Sequence, residues 1–343
     1  MNINDTRKIY SHILDDYSKY IYEKRVMHSL TGNYSYMNDI CNSIINKDIM
    51  DNIMNKLQHV KEKLIVRGAG NDYHIIKRLY PDFDFYCFCD NDATKIGTSI
   101  DNKEVISPKQ FYNEYSEYFV LINSAAANKE IYDEFKSNNI QDDHIFNMAD
   151  CYQKICDKQY FEKNIVTPTQ NEIFIDGGCY DGRTIKGFIN WCNNNYSQIY
   201  SFEPDKTNYS NAKDNIKYLS NITLINKGLW NEDAVLKFSN GASQGAMISD
   251  DGDNQIETTT IDKVVGLENV TFIKLDVEGA EYNALLGAQN TIIKNHPKLA
   301  ISIYHKPEDI FELPELILSL DDSYRFYLRH YQLSPNETIL YCI

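Results

Sequence analysis

The sequence predicts an α/β protein: a doubly wound, seven-stranded sheet with an antiparallel C-terminal hairpin strand, preceded by a smaller α/β domain and an N-terminal helical segment. Three observations carry this. Short apolar runs alternate with helical patterns in two separate blocks, the mark of parallel sheets. Apolar residues recur at helical spacing before the first block. The last two strand-like runs are joined only by a short Ser-Pro-Asn turn, and a parallel crossover needs about a dozen residues, so they must form an antiparallel hairpin.

The elements follow in order. Ile9, Ile13, Leu14, Tyr17, Tyr20 and Ile21, then Ile40, Ile44, Ile45, Ile53, Met54 and Leu57, lie at helical spacing, which predicts a helical segment over residues 1–60. Residues 61–150 read as a small α/β domain: "LIV", "GAG", a helical "IIKRL", "FYCFCD", then "YFVLINS" with "IYDEFKSNN" after it. A polar connector, 151–170, leads into the last domain, 171–343. Its expected strands are 173–176, 198–203, 222–226, 271–276, 299–304, 324–330 and 337–343.

Composition narrows the function. The 343 residues carry 49 acidic against 34 basic side chains, and a net charge of −15 works against nucleic acid or anionic lipid as partner. No apolar run is long enough to span a bilayer. The first twenty residues lack a secretory signal's apolar core, and the eight cysteines include no CxxC pair, so a reduced cytoplasm is the expected location.

Four stretches carry chemistry. In "IFIDGGCYDGRT", Asp176, Gly178 and Gly182 form D-x-G-x-x-x-G between a strand and a helix, where glycines let backbone approach a ligand. Phosphates at a helix N-terminus would be repelled by an aspartate, so a cationic ligand such as S-adenosylmethionine explains the acid better than a dinucleotide does. The alternative is an aspartate that only caps the helix. The loop residues Gly177, Cys179, Tyr180 and Asp181 join this candidate cofactor site. In "IYSFEPD", Glu203 ends the next strand 27 residues on, placed to accept both ribose hydroxyls, with Pro204 and Asp205 turning the chain. Lys227 and Gly228, beside Asn226 after the third strand, are expected to flank adenine.

"IKLDVEGAE" closes a strand with Asp276 and puts Glu278 and Glu281 in the first turn of the next helix, where acids are stabilised even without a function. A divalent ion could use these carboxylates, but no second group of ligands is evident in sequence, and no metal is expected. "LAISIYHKPEDI" places His305 directly after a strand, on the same rim. An alcohol holds its proton tightly, so His305 is the candidate base, with Asp276 or Glu278 orienting it or substituting for it; the alternative is a histidine satisfied by backbone. "SDDGDN" at 249–254 lacks the last ligand of a calcium loop and reads as a turn. Cys179 reads as packing.

In the front domain, Gly68 and Gly70 of "LIVRGAGNDY" are followed by Tyr73 where a third glycine would stand, and Asp90 falls 20 residues beyond Gly70. The fingerprint is incomplete. A nucleotide-sugar or NAD at this domain is one alternative reading of the chain, and a noncatalytic module of the same fold is another.

With these residues in place, roughly 160–343 resembles the FkbM family of S-adenosylmethionine-dependent methyltransferases, through "IFIDGGCYDGRT", "IYSFEPD", "IKLDVEGAE" and the ending "YRFYLRHYQLSPNETILYCI". The resemblance implies O-methylation, in many members of a hydroxyl on a sugar or polyketide, here a small molecule or surface glycan. It carries Asp176, Gly178 and Glu203 over as cofactor contacts and Asp276, Glu278 and Glu281 as signature acids. Many members have Gly-Ala-Asn where this chain has Gly178, Cys179 and Tyr180. The front domain is similar to the Rossmann-like domains of sugar-modifying enzymes.

Overall fold

A computed structural model describes residues 3–44, 47–124, 127–148, 155–156, 158–240, 246–248 and 254–343. The helical spacing at the start yields α1 (Ile3–His12), α2 (Asp16–Thr31), α3 (Ser35–Ile44) and α4 (Lys47–Val60). Asp15 caps α2 by accepting from the Ser18 N–H, and Gly32 ends it at φ 66°. The chain divides into two compact units, one of Met1–Met37, Lys158–Tyr331 and Pro335–Ile343, the other of Asn38–Asp157 and Gln332–Ser334. The residues expected as one helical segment, 1–60, are thus shared between the two.

In the second unit the apolar runs become β1 (Leu64–Arg67), β2 (Cys87–Cys89), β3 (Ser99–Ile100), β4 (Lys103–Ile106), β5 (Phe119–Ile122) and β6 (Ile145–Asn147), with helices α5 (Asn71–Leu79), α6 (Pro108–Glu114) and α7 (Asn128–Ser137). The sheet order is β3-β4-β2-β1-β5-β6, and every pairing is parallel except β3 with β4. Both faces are covered: Leu64, Val66, Phe88 and Leu121 fill one core, while Ile65, Cys87, Cys89, Val120 and Ile122 fill the other.

The first unit is built on β7 (Glu172–Gly177), α8 (Arg183–Trp191), β8 (Tyr196–Phe202), α9 (Lys206–Ile216), β9 (Ile222–Ile225), β10 (Gly228–Leu229), β11 (Val235–Asn240), β12 (Ala246–Ile248) and β13 (Asn254–Thr259). It continues through α10 (Ile261–Val265), β14 (Phe272–Leu275), α11 (Glu281–Leu286), α12 (Gln289–Asn295), β15 (Lys298–Ser302), α13 (Asp309–Leu320), β16 (Phe326–His330) and β17 (Thr338–Cys342). All seven expected strands form one sheet in the order β16-β17-β15-β14-β7-β8-β9. Only β17 runs against its neighbours, as the short Ser-Pro-Asn connection requires. Phe174 stacks on Phe188 at 4.1 Å between ring centres, fastening α8 to the sheet, and Arg329 pairs with Asp15 at 2.7 Å where α2 meets β16.

One element escaped the sequence reading. The strands β10-β13-β11-β12 form a small second sheet in the first unit, in a stretch outside the seven expected strands that reads only as strand-like segments on either side of "SDDGDN". "VLKF" and "NQIETT" alternate polar and apolar residues only briefly, a weak signal over so few positions. The loop-like "SDDGDN" falls mostly outside the described residues, at 249–253.

Candidate active site

Parallel strands deliver their C-terminal ends to one edge of a sheet, and that edge holds the functional side chains of the first unit. Gly178 follows β7, Glu203 follows β8, Asp276 follows β14, and Tyr304 with His305 follows β15. The reversed strand β17 begins at this edge, so Glu337, just before it, arrives there too. These ends surround a cavity of about 460 Å³, within the range of small-molecule sites.

One end of the cavity is shaped by the first two strands. Gly178 has φ +76°, and a side chain there would put Cβ 1.9 Å from the Asp276 carbonyl oxygen, so only glycine permits this approach. Glu203 is 6% exposed; its Oε2 accepts from the Tyr180 N–H at 2.9 Å and its Oε1 from the Asp205 N–H at 3.0 Å. Burial pushes its carboxyl up to about 7 despite those two donors. Pro204, Asp205, Lys227 and Gly228 also line the cavity, and Asn226 braces the turn by donating to the Glu203 carbonyl at 2.8 Å. Leu229, Trp230, Leu236 and Ile256 add an apolar wall, partly from the small sheet that sequence reading missed.

The other end is acidic. Asp276 accepts from the Tyr160 hydroxyl at 2.8 Å and from the Tyr304 hydroxyl at 3.1 Å. Burial works against its charge, but Lys274 and His305 outweigh that and hold it below the usual carboxylate range. Glu278 sits in the turn before α11 rather than in the helix, at φ 53°, an uncommon conformation for a side-chain-bearing residue that aims it at the cavity. Burial raises its carboxyl, and burial with the nearby Asp276 charge raises Glu337 to about 7. His305 stands 3.5 Å from both Asp276 and Glu278 and 3.0 Å from Glu281. Burial disfavours its charge, yet Glu281, Asp276 and Glu278 together raise it to about 9.

Four expected cofactor contacts do not reach the cavity. Asp176 is fully enclosed, with its carboxylate 3.2 Å from the Lys274 ammonium, which also donates to the Gly177 and Gly178 carbonyls at 2.9 and 2.7 Å. A carboxylate turned into the sheet in this way is not available to grip a cationic ligand, and it caps no helix either. Gly177 is packed between Leu229 and Leu275, and Cys179 lies in the hydrophobic core. Asp181 pairs with Arg183 at 2.9 Å. Sequence reading did not single out Lys274, Tyr160, Tyr304 or Glu337. Lys274 was detectable as a lone charge inside the apolar run "FIKL", and Tyr304 stands next to His305 in sequence; Tyr160 and Glu337 come from distant segments and left no local signal.

In the second unit, Gly68 has φ +110°, and a Cβ there would meet the Asn123 carbonyl oxygen at 2.8 Å. Tyr73 packs edge-on to Phe88 where a third glycine would bring helix and strand closer. Asp90 accepts from the Ala69 N–H at 2.8 Å and the Asp92 N–H at 2.9 Å.

The first unit therefore defines a methyltransferase-type sheet with a ligand cavity at its carboxyl edge. Residues 176–331 match the family model described as Methyltransferase FkbM domain, so this part of the chain is similar to that family. The crystal structure of Methyltransferase FkbM from Methylobacillus flagellatus KT is similar at TM-score 0.52 and 18% identity, over 91% of this chain and 100% of that one. An rRNA methylase from Streptococcus thermophilus aligns at TM-score 0.34 and 16% identity, over 53% of this chain and 90% of that one. Aeropyrum pernix fibrillarin with natively bound S-adenosyl-L-methionine aligns at 0.32 and 10%, over 51% and 67%. The fold comparison rests on the first alone. No curated protein matches the chain in sequence. Among the described residues no helix is long and apolar enough to cross a membrane.

The methyl donor of such a domain is S-adenosylmethionine, and the residues present fit it. Glu203 is a buried carboxylate with lone pairs left for two hydroxyls, Gly178 leaves room for close approach, the wall beside them is apolar, and the far end is anionic.

Proposed function

We propose that the chain is an S-adenosylmethionine-dependent O-methyltransferase of the cytoplasm, acting on a hydroxyl of a sugar or surface glycan. The observation that carries this is one cavity with a buried carboxylate, Glu203, at one end and Asp276 and Glu278 at the other, with His305 3.5 Å from both though not itself in the lining. The choice of a sugar or glycan acceptor rests on the family resemblance.

When bound, S-adenosylmethionine supplies an electrophilic methyl group on a sulfonium. Glu203 would accept from the ribose hydroxyls, the Gly178 loop would border the amino-acid end, and Lys227, Gly228, Leu229 and Ile256 would enclose the base. Asp176 supports this loop from behind through Lys274 instead of touching the donor. At neutral pH His305 already carries its extra proton, so a carboxylate substitutes for it as proton acceptor. Glu278 suits that role: its carboxyl is raised, it lines the cavity, and its side chain is half exposed. Asp276, fixed by two tyrosine hydroxyls, orients the cluster.

Calorimetric titration with S-adenosylmethionine tests the cofactor assignment, and Glu203→Ala is expected to abolish most of the heat. Equal heat from both proteins would remove it. Transfer of labelled methyl groups to a panel of glycans then separates an enzyme from a noncatalytic module.

The second unit is proposed to hold a nucleotide-sugar beside Gly68 and Gly70. Support comes from Asn123, 2% exposed, whose side-chain amide next to Gly68 has no hydrogen-bond partner among the described residues. A fluorescence titration with NADH distinguishes the dinucleotide alternative, which predicts binding.

A further inference from the structure

The carboxylates of "DVEGAE" do acquire a further ligand group once the chain folds, because β15 brings His305 to them. Asp276, Glu281 and His305 each offer one donor atom, and these atoms all lie within 4.8 Å of one another. Bonds of about 2.1–2.4 Å to a divalent ion put two opposite ligand atoms at most about 4.8 Å apart. The spacing therefore accommodates one ion with little movement.

Two independent features point to a ligand. Glu281 is 1% exposed, and while its Oε1 accepts from the Val277 N–H, its Oε2 has no hydrogen-bond partner among the described residues. The His305 side chain is 10% exposed, and neither ring nitrogen has a partner in hydrogen-bond geometry among the described residues, although Glu281 Oε1 stands 3.0 Å from Nδ1. Donors and acceptors that approach so closely without aligning are arranged as ligands around a common point are, and not as a hydrogen-bonded pair is. The charges agree. Asp276, Glu278 and Glu281 all stand within 3.5 Å of one imidazole, and the Lys274 ammonium that also acts on Asp276 is shared with Asp176 at 3.2 Å.

We propose that Asp276, Glu281 and His305 bind one divalent cation of the Mn²⁺ and Mg²⁺ type at the acidic end of the cavity. Two carboxylates and one imidazole suit Mn²⁺ in particular, and an imidazole that binds the ion gives up any extra proton. The site stands without the methyl-transfer reading, but its role rests on that reading. Asp276 lines the cavity, so an acceptor oxygen can complete the ion's coordination, which lowers that oxygen's hold on its proton. The proton passes to Glu278, the oxygen lone pair forms the new C–O bond, and the methyl C–S bond breaks to leave a neutral thioether.

Titration of the full chain with MnCl₂ alone, followed by calorimetry and Mn²⁺ electron paramagnetic resonance, tests the site without any methyl donor. The expected result is one site in the wild type, weakened at least about tenfold in both Glu281→Gln and His305→Gln. Circular dichroism checks that each variant is folded, and either one suffices. Absence of Mn²⁺ uptake by the wild type, uptake of Zn²⁺ only, or unchanged affinity in a folded variant overturns the proposal. A protein that binds Mn²⁺ yet transfers no methyl group keeps the site and loses the functional reading; metal-free transfer unaffected by chelator keeps the functional reading and removes the ion's role in it.

Discussion

Lys274 Nζ lies 3.2 Å from Asp176 Oδ1, and both side chains are shut off from solvent in the sheet under the glycine loop. The ammonium reaches past its partner to the Gly177 and Gly178 carbonyls, so one buried cation fixes the end of β7. Burial raises the Asp176 carboxyl, while the Asp176 and Asp276 charges overcome burial to keep Lys274 protonated.

Removing one member of such a pair leaves a buried charge without compensation. Lys274→Met is expected to cost about 3–5 kcal/mol in urea unfolding. The double variant Asp176→Asn with Lys274→Met should recover a large part of that loss, since both charges are then gone. A single variant as stable as the wild type would contradict the pairing.

Two glycines with positive φ should respond differently. Gly178 and Gly32 have φ +76° and +66°, but a Cβ at Gly178 strikes the Asp276 carbonyl whereas one at Gly32 meets open space. Gly32→Ala, in the left-handed helical region at ψ 7°, is expected to cost only about 1–2 kcal/mol of backbone strain. Gly178→Ala should cost more in thermal unfolding and also abolish the calorimetric signal for S-adenosylmethionine, because the loop has to move off the cavity.

Glu203 should make donor binding depend on pH. Its carboxyl titrates at about 7, and only the ionised form can accept from two ribose hydroxyls while also accepting two backbone N–H groups. Donor affinity is expected to rise as pH increases through about 7 and to be nearly flat in Glu203→Gln. Stability should move the other way. A carboxyl raised on folding contributes stability that is complete below its unfolded value near 4.5 and is lost as pH climbs through about 7. Unfolding free energies of wild type and Glu203→Gln should therefore lie close together at pH 4, where both side chains are neutral, and diverge toward pH 8 as the wild type loses stability.

Proton removal and donor binding should separate. Glu278→Gln is expected to lower methyl transfer about 10²–10⁴-fold while the donor's calorimetric affinity stays close to wild type. Equal losses in both measurements would mean that Glu278 acts on binding.

Tyr160 links the connector to the site by donating to Asp276 at 2.8 Å. Tyr160→Phe removes a hydrogen bond to a charged group, at a cost of about 1.5–3 kcal/mol in chemical unfolding. Methyl transfer should fall as well, because Asp276 then keeps only the longer contact from Tyr304.

Much of the fold could be read from local pattern. The seven strands of the large sheet each left a short apolar run, and the short Ser-Pro-Asn turn before β17 dictated its reversal. The small sheet left too little alternation to detect, and its Leu236 and Ile256 form part of the cavity wall. Glu203, Gly178, Asp276 and Glu278 were legible because strand ends on a parallel sheet share one edge.

By itself the sequence determined the fold class and which side chains end at that edge, since both follow from periodicity and chain direction. Only the tertiary structure decided where each one faces. Asp176 and Glu203 both end neighbouring strands, yet a lysine one strand away draws the first carboxylate into the sheet and leaves the second at the cavity. The direction of a buried charge is set by the nearest opposite charge in space, and β14 supplies that charge from 98 residues further along the chain, a distance no local pattern records.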